Sequence, residues 1–219
     1  MDNKNRDQSL SWLDKDIQRF KDIGTLIPES QIKIYSAVRD HFAGGRTVLD
    51  IGCSIGVGAN ILSHTARHVW GVDINKEAVD FATATFARPN LSFENIDIED
   101  PPTREIAKFE VITMIEVIEH LNDPVIGLNF MKKFFSEKGN TVGFITIPNT
   151  NNESVKELDD KNDLHISHWN AGEFYQLLIN HFHSVTLYSS DKLRQWEQEE
   201  TVDGGCTDRI IIAKVEGAK

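Results

Sequence analysis

Residues 47–58, TVLDIGCSIGVG, carry the clearest indication of the fold. They open with an apolar run typical of a buried strand and pass into a turn of small residues, where a helix is predicted to begin. Further apolar runs then alternate with helical segments of about ten residues, which predicts right-handed βαβ units and a mostly parallel sheet. The predicted strands are Thr47–Ile51, His68–Val72, Leu91–Asn95, Phe109–Ile115, Thr141–Pro148, Ser184–Ser189 and Arg209–Val215. The predicted helices are Ser30–Phe42, Val57–His64, Lys76–Phe86, Asp123–Phe135 and Ala171–Asn180.

The turn favours a cationic cofactor over a dinucleotide. Small residues at a strand-to-helix turn let a ligand approach the backbone, and the helix N-terminus offers unpaired N–H groups. The dinucleotide pattern G-x-G-x-x-G would need glycines where this chain has Ser54 and Val57. Asp50, at the end of the strand, would repel a pyrophosphate but attract the sulfonium and ammonium groups of S-adenosylmethionine (SAM).

The next three strands also end in acids. Asp73 follows the second strand, about 20 residues past the turn, where a carboxylate can accept hydrogen bonds from ribose hydroxyls. Asp97 and Ile98 follow the third strand and could accept from an exocyclic amine and cover a ring face. Glu116 ends the fourth. Carboxyl ends of parallel strands meet at one edge, where open α/β sheets bind their ligands.

Four segments, in this order and spacing, resemble the successive motifs of class I SAM-dependent methyltransferases: VLDIGCSIGVG, GVDINKEAVDFA, FENIDIED and ITMIEVIEHLNDP. The resemblance is strong over residues 46–150. It implies one doubly wound, Rossmann-like α/β domain whose seven strands lie in the order 3-2-1-4-5-7-6, with strand 7 antiparallel. Residues 191–208 contain no clear crossover helix. The last two strands are therefore predicted to pair antiparallel, which agrees with this plan.

The resemblance also implies SAM as the cofactor and assigns residues to it. Ser54 is a departure, since the commonest form of the motif has glycine there. The implied cofactor residues are Asp50 at the methionine end, Gly52, Ser54 and Gly56 in the turn, Asp73 at the ribose with Ile74 beside it, Asp97 and Ile98 at the adenine, and Glu116 at the pocket floor.

Two segments outside these motifs are candidate lids. Residues 1–45 are predicted to form an N-terminal helical cap ahead of a methyltransferase domain at 46–219. We expect this cap to pack over the carboxyl edge of the sheet and to help close the site, with Gly44 and Gly45 as a hinge. Residues 149–163 are predicted as a polar loop, long enough to act as a lid.

Methyl transfer from a sulfonium needs alignment and exclusion of water, with a base when the acceptor is a hydroxyl. His120 and His165 are the predicted catalytic residues. The stretch EVIEHLNDP and the histidines beyond it resemble ubiquinone-pathway, polyketide and sugar O-methyltransferases. That resemblance implies an oxygen of a small molecule or a glycan as the acceptor.

Two alternatives stay open. The same stretch resembles small-RNA 3′-terminal 2′-O-methyltransferases, which would imply a divalent ion held by Glu116, Glu119, His120 and His165. Asn151 occupies a position where that family usually has glutamate, and a net charge of −11 disfavours a nucleic-acid partner. We therefore expect no metal, and activity that survives a chelator. The second alternative is a non-catalytic SAM-binding subunit.

Composition bounds the remaining possibilities. The 219 residues are 40% hydrophobic and 26% charged, which is typical of a soluble globular domain. Neither a signal peptide nor an apolar run of the roughly 18 residues needed to span a membrane is predicted. Cys53 and Cys206 form no CxxC pair, which excludes a cysteine-rich zinc module and favours the cytoplasm. The oligomeric state is left open.

Overall fold

The computed structural model describes residues 17, 27–103, 107–189 and 210–219. Within these residues, seven strands form one sheet in the order β3-β2-β1-β4-β5-β7-β6. The first five strands run parallel, and β7 is antiparallel to both of its neighbours, as the resemblance implies. The strands are β1 (Thr47–Ile51), β2 (His68–Asp73), β3 (Leu91–Asn95), β4 (Val111–Met114), β5 (Val142–Pro148), β6 (Phe182–Ser189) and β7 (Ile210–Ala218).

The helices in the described ranges follow local sequence signals. Asn75 accepts a hydrogen bond from the Ala78 amide and caps α3, and Asn170 forms a reciprocal capping box with Glu173 at the start of α6. A π-helical turn, Arg39–Ala43, extends α1, and a 3₁₀ turn, Ile118–His120, follows β4. The helices are α1 (Glu29–Val38), α2 (Val57–Ser63), α3 (Lys76–Thr85), α4 (Pro124–Lys132), α5 (Glu153–Asp159) and α6 (Ala171–Ile179).

The prediction of a loop at residues 149–163 is wrong in one respect, because the segment contains α5. Asn152 caps this helix by accepting from the amides of Ser154 and Val155. Only Val155 and Asp159 of the helix are buried. The sequence therefore shows no apolar stripe of helical period, which is the signal on which the prediction depended.

Side chains on the two faces of the sheet pack into two separate hydrophobic clusters. Strand residues alternate between the faces, so Leu49 and Ile51 join the cluster that contains Phe130 of α4 and Phe174 of α6. Val48, one residue before Leu49, joins the cluster built with α1 and α2. Asp50 follows the same alternation and faces α1, where Tyr35 lies within hydrogen-bond distance.

The N-terminal cap lies mostly outside the described residues. The helix predicted at Ser30–Phe42 is confirmed as α1 with its π-helical turn. From the first 26 residues the structure describes Ile17, which packs against Ile55 and Ala78 beside the glycine turn. The stretch 191–208 also lies outside the described residues. No helix among those described is both long and apolar enough to cross a lipid bilayer.

Candidate functional site

A cavity of about 560 Å³ lies at the carboxyl ends of the parallel strands. This volume falls within the range of small-molecule sites, roughly 300–1,000 Å³. The cavity wall contains most of the predicted cofactor residues, whereas Asp50 and Gly56 are not part of it. The predicted cofactor residues on the wall are Gly52, Ser54, Asp73, Ile74, Asp97, Ile98 and Glu116.

The glycine turn has a backbone that brings it close to its neighbours. Gly52 and Gly56 have φ of +71° and +84°, in the left-handed region that glycine adopts without steric cost. A Cβ on Gly52 would lie 2.3 Å from Cγ2 of Val117, which also lines the cavity. Ser54 adopts φ of +47° without being glycine, so the departure from the commonest motif keeps the backbone conformation of the turn.

Asp73 ties the turn to the second strand. Its two carboxylate oxygens accept hydrogen bonds from the amides of Ser54 and Asn75, both at 2.8 Å. Burial raises the pKa of Asp73, and the two amide hydrogen bonds oppose that shift. Each carboxylate oxygen has a second lone pair, so Asp73 can accept from a ligand hydroxyl while it holds the turn.

The adenine side of the cavity combines an acceptor with apolar walls. Asp97 accepts a hydrogen bond from the Glu99 amide at 2.9 Å, which fixes its carboxylate on the cavity wall. Ile98 is buried, while Ile74 is 44% exposed at the opening. A planar base could lie between such walls with its amine directed at Asp97.

Asp50 lies beneath the cavity and is fully buried. Its Oδ1 accepts hydrogen bonds from the hydroxyls of Thr113, at 2.6 Å, and Tyr35, at 3.1 Å. Its Oδ2 has no partner among the described residues. Burial raises the pKa of Asp50 to about 7, although both hydrogen bonds oppose the shift. Its predicted contact with the methionine end of the cofactor stays a prediction.

We expect Asp50 to make the folded chain less stable as pH rises. A carboxyl whose pKa is raised by folding contributes stability below its unfolded pKa of about 4, and that contribution is lost as pH rises through about 7. Asp50→Asn keeps an oxygen acceptor for Tyr35 and Thr113 but cannot ionise. Its free energy of unfolding, measured by denaturant titration from pH 4 to 8, should therefore fall less steeply than that of the wild type. Equal slopes would contradict the raised pKa.

Glu116 forms the floor of the cavity through an unusual backbone conformation. Its φ is +54°, its amide donates to Oγ1 of Thr146, and that hydroxyl donates to its Oε1, both at 2.8 Å. Burial raises the pKa of Glu116 to about 7, and the Thr146 hydrogen bond opposes the shift. Helical structure begins only at Ile118. Glu116 therefore does not share a helix face with Glu119 and His120.

The two predicted catalytic histidines meet beside the cavity. Their ring centroids lie 4.7 Å apart. Nδ1 of His120 lies 2.9 Å from the carbonyl oxygen of Leu164, and Nδ1 of His165 is hydrogen-bonded to the carboxylate of Asp159. Both partners only accept hydrogen bonds, so each Nδ1 carries a proton, and a neutral ring with this tautomer has its lone pair on Nε2. Burial lowers the pKa of His120, which favours the neutral form.

Glu119 lies next to the histidines and is buried, with 1% of its surface exposed. Its backbone oxygen accepts from the amides of Ile166 and Ser167 at 2.8 and 3.1 Å, which joins the segment after α5 to the 3₁₀ turn. Ligand atoms of Glu119, His120 and His165 all lie within 4.8 Å of one another. Three of the four residues named by the metal alternative are thus brought together, while Glu116 is held by Thr146.

Sequence reasoning missed three groups that support the site. Thr146 lies inside β5, where threonine is ordinary, and nothing local indicates that it holds Glu116. Asp159 lies in the segment predicted as a loop, although its carboxylate binds both His165 and His168. Leu164 contributes a backbone carbonyl, which leaves no sequence signal.

Comparison with known proteins agrees with this geometry. The Methyltransferase domain family matches residues 22–199. A ubiquinone biosynthesis O-methyltransferase of Paraburkholderia phytofirmans is 35% identical over 86 residues, which cover 38% of this chain and 37% of that protein. The matches with such curated relatives span 33% to 52% of their length.

Two solved structures show the same fold. A TehB-like SAM-dependent methyltransferase from Corynebacterium glutamicum has a TM-score of 0.65 at 16% identity, over 95% of this chain and 99% of that one. The N-methyltransferase NodS from Bradyrhizobium japonicum, in complex with S-adenosyl-L-homocysteine, has a TM-score of 0.58 at 15% identity, over 86% and 85% of the two chains.

The family match covers most of the chain, so this protein belongs to the SAM-dependent methyltransferases of the Methyltransferase domain family, with SAM as cofactor. The cavity fits that cofactor. An anchored carboxylate at Asp73, a second at Asp97 and apolar walls between them match a ribose and an adenine, and the left-handed turn lets the backbone approach a ligand.

Proposed function

We propose that this chain transfers a methyl group from SAM to an oxygen of a small molecule or a glycan. One observation carries the proposal: the cavity wall that holds the predicted cofactor residues also contains His120. A neutral imidazole with its lone pair on Nε2 is therefore available beside the cofactor pocket. That group can assist a hydroxyl acceptor.

The cofactor end of the cavity would position the methyl donor. SAM supplies an activated methyl group, bound to a sulfonium, that a nucleophile can displace in line. Asp73 and Asp97 would accept hydrogen bonds from the ribose and the adenine, and Glu116 would close the floor. These residues lie on rigid elements, since each is fixed by backbone or side-chain hydrogen bonds.

The acceptor end would exclude water and activate the nucleophile. Leu121, Leu164 and Ile166 form an apolar wall beside His120, and Ile166 is 49% exposed at the opening. An acceptor placed against this wall would have its hydroxyl near the Nε2 atoms of His120 and His165. Either nitrogen can activate the hydroxyl by accepting its proton.

Two further observations support an oxygen acceptor of modest size. The curated relative from Paraburkholderia phytofirmans is named as an O-methyltransferase. The net charge of −11 disfavours a long phosphate backbone as substrate. The two cysteines, which form no CxxC pair, are consistent with a cytoplasmic location.

Methylation of RNA 3′ ends is the second candidate, and one observation favours it. Glu119, His120 and His165 converge, as that alternative requires. Against it stand the acidic charge and Asn151 in place of glutamate. A structure similar to this chain, the methyltransferase domain of bacterial CtHen1-C, has a TM-score of 0.59 at 20% identity, which supports the fold alone.

The test is transfer of labelled methyl groups from SAM to a panel of acceptors. The panel contains phenols, catechols, free and oligomeric sugars, and a short single-stranded RNA. We expect a hydroxyl compound from the first three classes to be labelled, and His120→Asn to reduce the rate by about 10²–10⁴-fold if His120 assists the proton transfer. Labelling of RNA alone would support the second candidate. SAM binding without transfer to any acceptor would support the non-catalytic subunit.

The expected role of the N-terminal cap in closing the site can be tested separately. Ile17 packs against Ile55 and Ala78, beside the glycine turn. We expect deletion of residues 1–28 to abolish turnover while circular dichroism shows a folded core. Ile17→Asp is a milder variant that disrupts the contact without shortening the chain. Full activity in both proteins would contradict a role for the cap in closing the site.

A further inference from the structure

The wall of the cofactor cavity is strongly acidic. Five carboxylates line it, and in the ranges that the structure describes no lysine or arginine does so. SAM has a single net positive charge, so negative charge stays in excess when the cofactor is bound. A cleft lined by one sign of charge concentrates ligands of the opposite sign and repels those of the same sign. The five acids are Asp73, Asp97, Glu99, Glu116 and Asp163.

Four of these acids are held by hydrogen bonds from the protein. Asp73 and Asp97 accept from backbone amides, and Glu116 accepts from a threonine hydroxyl. Glu99 accepts from Nδ2 of Asn122 at 2.9 Å and from the amide of the following residue at 3.1 Å. The carboxylate of the fifth acid, residue 163, forms no hydrogen bond or ion pair with a described residue. It is therefore the acid most available to a second ligand.

Asp163 lies at the acceptor end of the cavity. It directly precedes Leu164, whose carbonyl oxygen lies 2.9 Å from Nδ1 of His120. The amide of Leu164 donates to Oδ1 of Asn162 at 3.2 Å, and the amide of Ile166 donates to the 3₁₀ turn at 2.8 Å. These bonds fix the segment on the cavity wall. Asp163 is exposed at the opening, one residue from the group that orients His120.

Apolar side chains surround the position of this carboxylate. Leu121, Leu164 and Ile166 line the same part of the cavity. An acceptor whose ring or chain packs against them, with its hydroxyl beside His120, would extend a substituent toward Asp163. The charge of that substituent then decides whether the acid attracts or repels the acceptor.

We propose that the acceptor end of the cavity selects hydroxyl compounds by charge and that Asp163 is the residue that sets this selection. An ammonium group on the acceptor would pair with Asp163. A carboxylate, a sulfate or a phosphate in the same place would meet acids and no described cation. The favoured acceptors are therefore phenols and sugars that carry an amine. This inference rests on the proposed function, because it names the substrate class of the same site.

Acceptor sets that differ mainly in charge provide the test. The phenol set is tyramine, para-ethylphenol and phloretate; the catechol set is dopamine, ethylcatechol and dihydrocaffeate; the sugar set is glucosamine, glucose and glucuronate. The kcat/KM for labelling from SAM is measured at low salt. We expect the amine to be the best acceptor of at least one set and the carboxylate the worst. Added salt should reduce the difference, since it screens charges near the surface.

Variants at two acids identify the residue responsible. In Asp163→Asn the ratio of kcat/KM for the amine to that for the carboxylate should fall by about 4- to 25-fold, since each of the two acceptors shifts by about 2- to 5-fold, as for an exposed ion pair. Asp163→Lys should favour the carboxylate. Asp160→Asn is the matched control, because Asp160 is an exposed acid at the end of α5 and is not on the cavity wall. It should keep the wild-type ratio.

A binding measurement separates this inference from methyl transfer. The chain is saturated with S-adenosylhomocysteine and titrated with each compound by calorimetry, which needs no turnover. Tighter binding of the amine in the wild type, reversed in Asp163→Lys, would support charge selection even if no compound is labelled, an outcome that would overturn the proposed function alone. Labelling with equal kcat/KM for amine and carboxylate, an unchanged ratio in Asp163→Asn, or no difference in binding within any set would overturn charge selection.

Discussion

Replacing Asp73 by alanine is expected to weaken binding of SAM and of S-adenosylhomocysteine by about 1.5–3 kcal/mol, or roughly 10- to 150-fold. The carboxylate accepts from the amides of Ser54 and Asn75 and lies on the cavity wall, so it both supports the turn and faces a ligand. Hydrogen bonds to a charged acceptor are stronger than neutral ones, which sets this range. Calorimetric titration with each ligand measures the loss.

Two variants make the Asp73 test specific. Asp73→Asn keeps one oxygen acceptor and should lose less affinity than the alanine variant. Asp80→Ala removes an acid from the exposed side of α3, where it pairs with Lys76 at 2.6 Å, and should bind SAM as the wild type does. Unchanged affinity in Asp73→Ala would show that the ribose lies elsewhere.

Replacing Gly52 by alanine should both destabilise the fold and weaken SAM binding. The left-handed backbone conformation at this position costs an alanine about 1–2 kcal/mol. Its Cβ would also lie 2.3 Å from Cγ2 of Val117, which adds about 1–3 kcal/mol of overpacking. The free energy of unfolding should fall by the sum, about 2–5 kcal/mol, and SAM binding should weaken because Val117 lines the cavity. Denaturant titration and calorimetry measure the two effects.

Gly45 provides the matched control. Its φ of +67° is close to that of Gly52, yet no described atom lies within 4 Å of where its Cβ would be. Gly45→Ala therefore has the backbone cost without the clash, and we expect it to lose only about 1–2 kcal/mol and to bind SAM normally. If the two variants lose the same free energy of unfolding, the Val117 side chain moves away from the new Cβ at no measurable cost.

The strands and the acids of the cofactor wall could be predicted from short-range patterns in the sequence, whereas the strand order was implied by the resemblance to class I SAM-dependent methyltransferases. Apolar runs and capping residues lie within a few positions of the elements they define. Asp73 and Asp97 could be placed because each directly follows a predicted strand, and parallel strands bring their carboxyl ends to one edge. Their positions depend on chain order and not on side-chain packing.

Asp50 shows how a correct element can give an incomplete prediction. The end of β1 does lie below the cofactor cavity, but side chains alternate along a strand. Leu49 and Ile51 face one hydrophobic cluster, so Asp50 turns to the opposite face and meets Tyr35. The sequence contained this alternation. The partner did not follow from it, because Tyr35 comes from a helix before the first strand.

The cluster of Glu119, His120 and His165 could be named from the sequence only as an alternative implied by a family resemblance, because its formation depends on packing between distant segments. The motif supplies Glu119 and His120, while His165 comes from the segment after α5. That segment docks through backbone hydrogen bonds to Glu119, and backbone groups are the same for every residue type. Burial of the carboxylate follows from this docking.

The position of β7 has a consequence for how the chain acquires its structure during synthesis. β7 lies between β5 and β6, and β6 pairs with no other described strand. Residues 182–189 therefore leave the ribosome before the partner that fixes them exists. At roughly 5–20 residues per second, several seconds of translation separate the emergence of the parallel half-sheet from completion of its far edge. During that interval the outer edge of β5 is open, and the nascent chain offers it as a template for pairing with other chains.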